Sequence, residues 1–419
     1  MFGVLITAIK FIFLLGFLVL IHEGGHFIVA KLCKVRVHEF AIGFGPNLIK
    51  KKIGDTVYAL RAIPLGGFVR MEGEEEYSDS EDSFSKKSIP KRIAIVVAGG
   101  GVNIIFGLLV YFILATSSGN YISTIVGDVL PEASNSQIQA GDKIVKIDNK
   151  TIHLKSDLDN AIAQSNGNSV NVEVERNGEK LNLDVVPIKE DTKNTGIYFS
   201  AVGSELNTKI EAVYPDSPAE KAGLRKDDFI IKVNGEDVGN DPYKVVNLTQ
   251  QAESNSIVYT IRRDNNDIDI TVDAEILSQY YLGVELLKAD NNLLTNMTYG
   301  FWDTVDFSVS IIDNLKTLFT GNVSVDQLMG PIGISSLVAD TNGFLDFIYV
   351  LALISLALGV TNLLPIPPLD GWKVVVYLIE AIRRKPMNER IQINIESFGF
   401  ILMILLSLYV AYNDVLRIF

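Results

Sequence analysis

The chain has 419 residues, a net charge of −13, a mean hydropathy of +0.25 and only 21% charged residues, a balance that excludes an ordinary soluble composition. The length allows two to four domains. Residues 116–345 hold 34 Asp and Glu against 18 Lys and Arg, which leaves −16 and excludes nucleic acid as a partner. The lone cysteine, Cys33, excludes an internal disulfide and reads as a small buried residue at a helix end.

The first apolar stretch covers residues 2 to about 32. Lys10 is the only early cation and no small-x-small cleavage pattern follows, so it reads as a retained spanning helix. His22-Glu23-Gly24-Gly25-His26 follows directly on its apolar run. Two imidazoles four residues apart share one helix face. That spacing suits one tetrahedral Zn²⁺, with Glu23 placed to act on water at the metal. Composition alone produces such a motif on the order of 0.002 times per chain. Ionisable groups at membrane depth also point to function.

Residues 40–46 and 57–71 are apolar and β-prone, broken by Gly and Pro, and predict hairpins. Such backbone near a bilayer needs a protein partner or a water-lined cavity, so the reading is a re-entrant β element beside the histidine helix. Its unpaired edge could accept an extended peptide. Residues 72–82 form an acidic, solvated stretch. The second span, 93–115, contains Ala98-Gly99-Gly100-Gly101-Val102-Asn103. Its glycines let another backbone approach. Asn103 is either an interhelical hydrogen bond or part of the site.

The middle segment holds an internal repeat. Val129-Leu-Pro-Glu and Ala140-Gly-Asp-Lys-Ile-Val match Val213-Tyr-Pro-Asp and Ala222-Gly-Leu with Asp228-Phe-Ile-Ile. Each copy runs on into alternating strands joined by turns at Asn177-Gly178 or Asp264-Asn265. Two similar small β-rich domains in tandem follow. The third span, 345–364, ends in Asn362-Leu-Leu-Pro365-Ile-Pro367-Pro368-Leu-Asp370-Gly371, where prolines break the helix. Asp370 is left in irregular backbone at membrane depth and wants a cation, a third metal ligand. The fourth span is 398–412. Cations cluster in 31–92 and 373–397, which places both loops in the cytoplasm and the termini and middle segment outside.

H-E-G-G-H in a first span, G-F-G-P, the outer tandem and N-L-L-P-I-P-P-L-D-G in a late span together resemble the site-2 protease family of intramembrane zinc metalloproteases. The two copies resemble PDZ domains, which within that family points to the regulator of sigma-E protease (RseP) type. The resemblance implies a multi-domain membrane protein of a bacterial inner membrane. It has an α-helical transmembrane domain of about four spans, a re-entrant β element and two extracytoplasmic PDZ-like α+β domains. The implied parts are 1–115, 116–203, 204–290, a membrane-proximal linker with an amphipathic helix at 291–344, and 345–419. His22, His26 and Asp370 match the ligands of one Zn²⁺, Glu23 the general base, and Asn362 the residue that positions the substrate or stabilises the oxyanion. Substrate contacts are implied at Tyr58, Ala59, Leu60, Gly66, Gly67, Phe68 and Asn103. Residues 196–202 and 282–286 would supply peptide-binding strands at the ends of their own copies. The family often has proline where Gly101 stands and an aromatic residue where Thr361 stands; neither touches a ligand.

The resulting expectation is a zinc metalloendopeptidase that cuts within or near a transmembrane helix of single-span proteins, such as an anti-sigma factor, or of signal peptides. The outer tandem then gates access or binds peptide C-termini. A membrane adaptor with a vestigial metal site and a metal transporter are the rival readings. The complete ligand set argues against the first, and the lack of an inverted repeat argues against the second.

Overall fold

The computed structural model describes every residue except 1, 75–77, 134–136, 200–206, 320–329, 342, 386 and 419. Two compact units emerge: Met1–Tyr121 with Asp290–Phe419, and Ile122–Ala289.

The first unit opens with helix α1 (Phe2–Leu32), apolar over most of its length and closed where Lys34 takes φ 56°. Strands β1 (Val37–Ile53) and β2 (Thr56–Met71) follow. They form more than a plain hairpin. Phe40 stands opposite both Val69 and Tyr58, and Tyr58 opposite both Phe40 and Lys51. The first half of β1 is thus flanked by two segments of β2, giving four short segments in one sheet. Glu39, with 8% of its side chain exposed, holds both flanks by accepting from Arg61 at 2.6 Å and Arg70 at 3.0 Å. An aromatic trio, Phe27, Phe40 and Tyr58, with centroids 5.2–6.1 Å apart, docks the sheet on α1. Helix α2 (Ile89–Ser118) has Pro90 in its first turn, where no amide hydrogen is needed, and ends on Gly119 at φ 60°.

The second unit contains β3 (Ile122–Val129), β4 (Lys143–Ile147), β5 (Lys150–Thr151), α3 (Lys155–Gln164), β6 (Val170–Arg176), β7 (Glu179–Val185) and β8 (Ile188–Asn194). It continues with β9 (Ile197–Tyr198), β10 (Ala212–Val213), α4 (Pro218–Ala222), β11 (Phe229–Val233), β12 (Glu236–Asp237) and α5 (Pro242–Gln251). It closes with β13 (Ser256–Arg263), β14 (Asn266–Asp273), β15 (Glu275–Tyr281) and β16 (Val284–Lys288). The main sheets have orders β16-β3-β4-β6-β7 and β12-β11-β13-β14. Each copy packs one apolar core, around Ile144, Val172 and Ile162 or around Ile230, Tyr259 and Ile261. Each also buries one bidentate pair at the same repeat position: Arg176 on Asp142 and Arg263 on Asp228.

The copies do not follow one another as the expected blocks 116–203 and 204–290. Strand β16 pairs with β3, and Leu282 lies in the first copy's core. Strand β9 pairs with β10 of the second copy, and Ile197 and Phe199 pack on that core. The second copy is therefore nested inside the first, and β8 pairs with β15 to form the ribbon that joins them. The expected end strands are exchanged: 197–198 serves the copy that follows it, and 284–288 the copy that began earlier. Pairing across about 160 residues leaves no local trace, since each strand's alternation looks the same whichever copy receives it.

The chain re-enters the first unit with α6 (Leu293–Phe319), α7 (Pro331–Ala339), α8 (Phe344–Asn362), α9 (Asp370–Arg383) and α10 (Glu389–Ile418). Among the described residues, four helices are long and apolar enough to cross a membrane: Leu5–Leu32, Ile89–Ser118, Phe344–Asn362 and Arg390–Val415. Helix α6 runs antiparallel to the C-terminal half of α2. Tyr299 stacks on Tyr121, and Phe307 on Tyr111 at 4.3 Å. Its opposite side exposes Leu294, Phe301 and Ile312. Glycines allow the tightest helix contacts: a Cβ on Gly359 would lie 2.6 Å from the Gly100 carbonyl oxygen, and one on Gly107 2.8 Å from that of Ala352.

Candidate metal centre

Helix α1 places His22 and His26 one turn apart, and the Pro365–Pro368 break between α8 and α9 brings Asp370 up to them as the first residue of α9. The Nε2 atoms of the two histidines are 3.3 Å apart, and Asp370 Oδ2 is 3.2 Å from each. His26 Nδ1 lies 2.8 Å from the Ile95 carbonyl oxygen, so Nδ1 carries the hydrogen and Nε2 presents a lone pair. Asp370 Oδ2 is buried without a hydrogen bond. Two imidazole Nε2 atoms and one carboxylate oxygen converge on one point.

That triangle fits a metal ion. A regular tetrahedron with bonds of about 2.0–2.1 Å has edges of about 3.3–3.4 Å. Two imidazole nitrogens and a carboxylate oxygen are a donor set for zinc at a catalytic centre, where one position stays open. Among the described residues, His22, His26 and Asp370 form the one cluster of three such side chains able to hold a metal.

The sequence profile of peptidase family M50 matches residues 10–406. The chain belongs to peptidase family M50. It is a metalloprotease. It is 30% identical to the regulator of sigma E protease of Haemophilus influenzae, over 98% of either chain. It is also 30% identical to the regulator of sigma-E protease RseP of Escherichia coli over the same shares. A Neisseria meningitidis relative whose name carries the words zinc metalloprotease is 32% identical over 98% of this chain and 99% of its own. Among solved structures, the HtrA3 PDZ domain bound to a phage-derived ligand is similar over 22% of this chain and 93% of its own, at 21% identity and a TM-score of 0.19.

Around the His22–His26–Asp370 triangle, the α1–α2 contact is built from glycines. A Cβ on Gly25 would lie 2.9 Å from the Ala98 carbonyl carbon. One on Gly99 would press on the His26 ring, 2.7 Å from Cε1 and closer to Nε2. Glu23 lines the same cavity as His22, His26 and Asp370, next to Gly67, whose missing side chain leaves room for the Glu23 Cγ at 3.1 Å. The cavity is further lined by Phe68, Val69, Arg70 and Met71 of β2 and by Lys373, Tyr377 and Glu380 of α9.

Of the residues expected to contact substrate, Gly67 and Phe68 reach this cavity. Tyr58, Ala59 and Leu60 lie inside the sheet with partners on both sides, so their edges are already used. The segment 67–70 pairs only with 39–42 among the described strand pairs, and it is the edge that faces the triad. Gly66 packs on Phe44 instead. Asn103 is fully buried and does not line the cavity. Asn362 is the half-buried last residue of α8 and also stands off the lining. Sequence reading missed the Ile95 carbonyl, which leaves no mark in a side-chain pattern. It also missed the ion pairs Lys373–Glu74 at 3.1 Å and Arg92–Glu380 at 3.0 Å, which tie α9 to the segments before it.

Proposed function

We propose that this peptidase hydrolyses a peptide bond within or beside the transmembrane helix of a single-span membrane protein or signal peptide, at the cytoplasmic side of a bacterial inner membrane. One Zn²⁺ per chain would be held by His22, His26 and Asp370. The observation that carries the reading is the triangle of lone pairs at 3.2–3.3 Å with Glu23 beside it in one cavity.

The ion, when bound, supplies a Lewis acid for a peptide carbonyl and acidifies water towards a pKa of about 7. Glu23 takes the proton from the attacking water and returns it to the leaving amine, so the residue ends each cycle as it began. Ile95 and the glycines of α2 hold the His26 ring so that Nε2 stays directed at the centre. The 67–70 edge aligns the substrate backbone as an added strand, which exposes the carbonyl that a helix would keep in its own hydrogen bonds. Helix-weakening residues near the scissile bond should therefore favour cleavage. Asn362 would help hold the substrate backbone, a role that rests on the family resemblance. Its relatives' names refer to control of sigma E, which makes an anti-sigma factor a natural test substrate. The cation-rich segments flanking the spans support the cytoplasmic placement. The nested β-rich copies would stand outside and exclude substrates that still carry bulky outer domains.

The test measures bound zinc and cleavage of a spanning test helix side by side. His22→Ala and Asp370→Ala should lose metal; Glu23→Gln should keep it and lose turnover. Full metal occupancy in His22→Ala would overturn the ligand assignment.

A further inference from the structure

The two histidines of the centre are supported unequally. His26 Nδ1 meets the Ile95 carbonyl at 2.8 Å, whereas His22 Nδ1 is buried with no hydrogen-bond partner. A metal-bound imidazole almost always donates its second N–H to a nearby acceptor, which fixes the tautomer and the ring orientation. Helix α2 carries a second orphan. Asn103 has no solvent exposure, and neither Oδ1 nor Nδ2 has a partner. Its link to α8 uses only the backbone, whose carbonyl accepts from Ser355 Oγ at 2.9 Å.

Helix geometry brings the two orphans towards each other. Phe17 packs on Phe106 and Gly25 on Ala98, which sets the antiparallel register of α1 and α2. In that register His22 lies level with Gly101, two residues from Asn103, or about 3 Å along the axis. Each Cα–Cβ bond tilts towards its own helix's N-terminus, so on antiparallel helices His22 and Asn103 lean towards one another. Around α2, Gly99 faces His26, while Gly100 and Gly107 face α8. At about 100° per residue, Asn103 falls between those directions and points into the space between α1 and α8.

We infer that the Asn103 carboxamide oxygen accepts the Nδ1 hydrogen of His22, directly after a side-chain rotation or through one water, and so keeps the Nε2 lone pair directed at the metal. Asn103 is then a positioning residue, not the substrate contact expected from sequence. The inference rests on the zinc reading of the triad.

The test is zinc affinity, read by chelator competition on the full-length protein in detergent, together with the absorption spectrum of the Co²⁺-loaded form. Asn103→Leu, close in shape but without an acceptor, should weaken zinc binding about 10–100-fold, the usual effect of losing such a partner, and should alter the Co²⁺ spectrum. Asn103→Asp retains an acceptor and should stay near the wild type. Ser355→Ala disturbs the same helix contact without touching the carboxamide and should leave affinity unchanged. Wild-type affinity in Asn103→Leu, or equal losses in Asn103→Leu and Asn103→Asp, would overturn the inference. Should Asn103→Leu fail to fold, histidine NMR of the zinc-loaded wild type decides: a contact from the His22 Nδ1 proton to the Asn103 carboxamide supports the inference, and none refutes it. If His22→Ala and Asp370→Ala keep their zinc, the ligand reading has failed instead.

Discussion

Replacing Gly99 by alanine should injure catalysis without touching a polar group. The added methyl would stand 2.7 Å from Cε1 and 2.8 Å from Cδ2 of His26, whereas ordinary contact begins near 3.4 Å. The ring must therefore withdraw by at least about 0.7 Å (3.4 less 2.7 at Cε1, with Nε2 closer still), or the helices must part by that amount. It cannot swing freely, because Nδ1 is anchored on the Ile95 carbonyl at 2.8 Å. Catalytic constellations tolerate about 0.5 Å, and a displacement of 1 Å costs about 10²-fold in rate. Gly99→Ala should thus lower turnover about 10–100-fold and weaken zinc retention. Gly101→Ala is the matched control, since a methyl there meets nothing within 4 Å. The assay is cleavage of a spanning test helix with zinc content measured on the same preparations. Wild-type turnover and zinc in Gly99→Ala would refute the claim that backbone proximity sets the His26 position.

Other outcomes follow from the same packing. Arg176→Ala removes the bidentate partner of the buried Asp142 carboxylate, leaving it the Gln139 amide, and should destabilise the outer copy, read as faster hydrogen exchange along Lys143–Ile147. Arg176 holds the Asp142 carboxyl below its ordinary value, so this stability is in place above the unfolded pKa of about 3.9 and drains away as pH falls through the lower folded value; acid titration of the same amides should show the loss in wild type and not in Asp142→Asn. Asp414 Oδ2 accepts from the Gly333 amide at 2.9 Å at the start of α7, so Asp414→Ala should cost about 0.5–2 kcal/mol in thermal unfolding. Gly330→Ala, whose methyl would lie 2.6 Å from that oxygen, should cost at least as much.

The convergence of His22, His26 and Asp370 was open to sequence reading because each half is a short local pattern. The i, i+4 histidines need only a helix, and Asp370 needs only a proline-broken helix end. The four long apolar helices were legible for a similar reason, with one informative shortfall. Hydropathy placed the last apolar stretch at 398–412, yet the helix long and apolar enough to cross a membrane runs Arg390–Val415. Its early turns carry Gln392 and Glu396, which line the cavity and therefore read as polar although the helix continues through them. What stayed hidden was pairing at a distance. Nothing local in Val57–Leu60 tells that both its edges are taken while 67–70 keeps one free, and nothing in Val284–Lys288 names β3 as its neighbour. Support delivered by main-chain atoms, such as the Ile95 carbonyl, is equally silent in a side-chain alphabet.

The nesting of one repeat within the other has a temporal side. A chain made from its amino end has every strand of the inner copy in hand once residue 273 has emerged, while the outer copy still waits for residues 284–288 to seal its sheet against β3. The module that begins later can thus finish earlier. The outer copy closes only over a fully synthesised insert, so a ribosome stalled inside residues 195–274 would leave both unfinished, and a transcript shortened there would expose an open sheet edge to quality control.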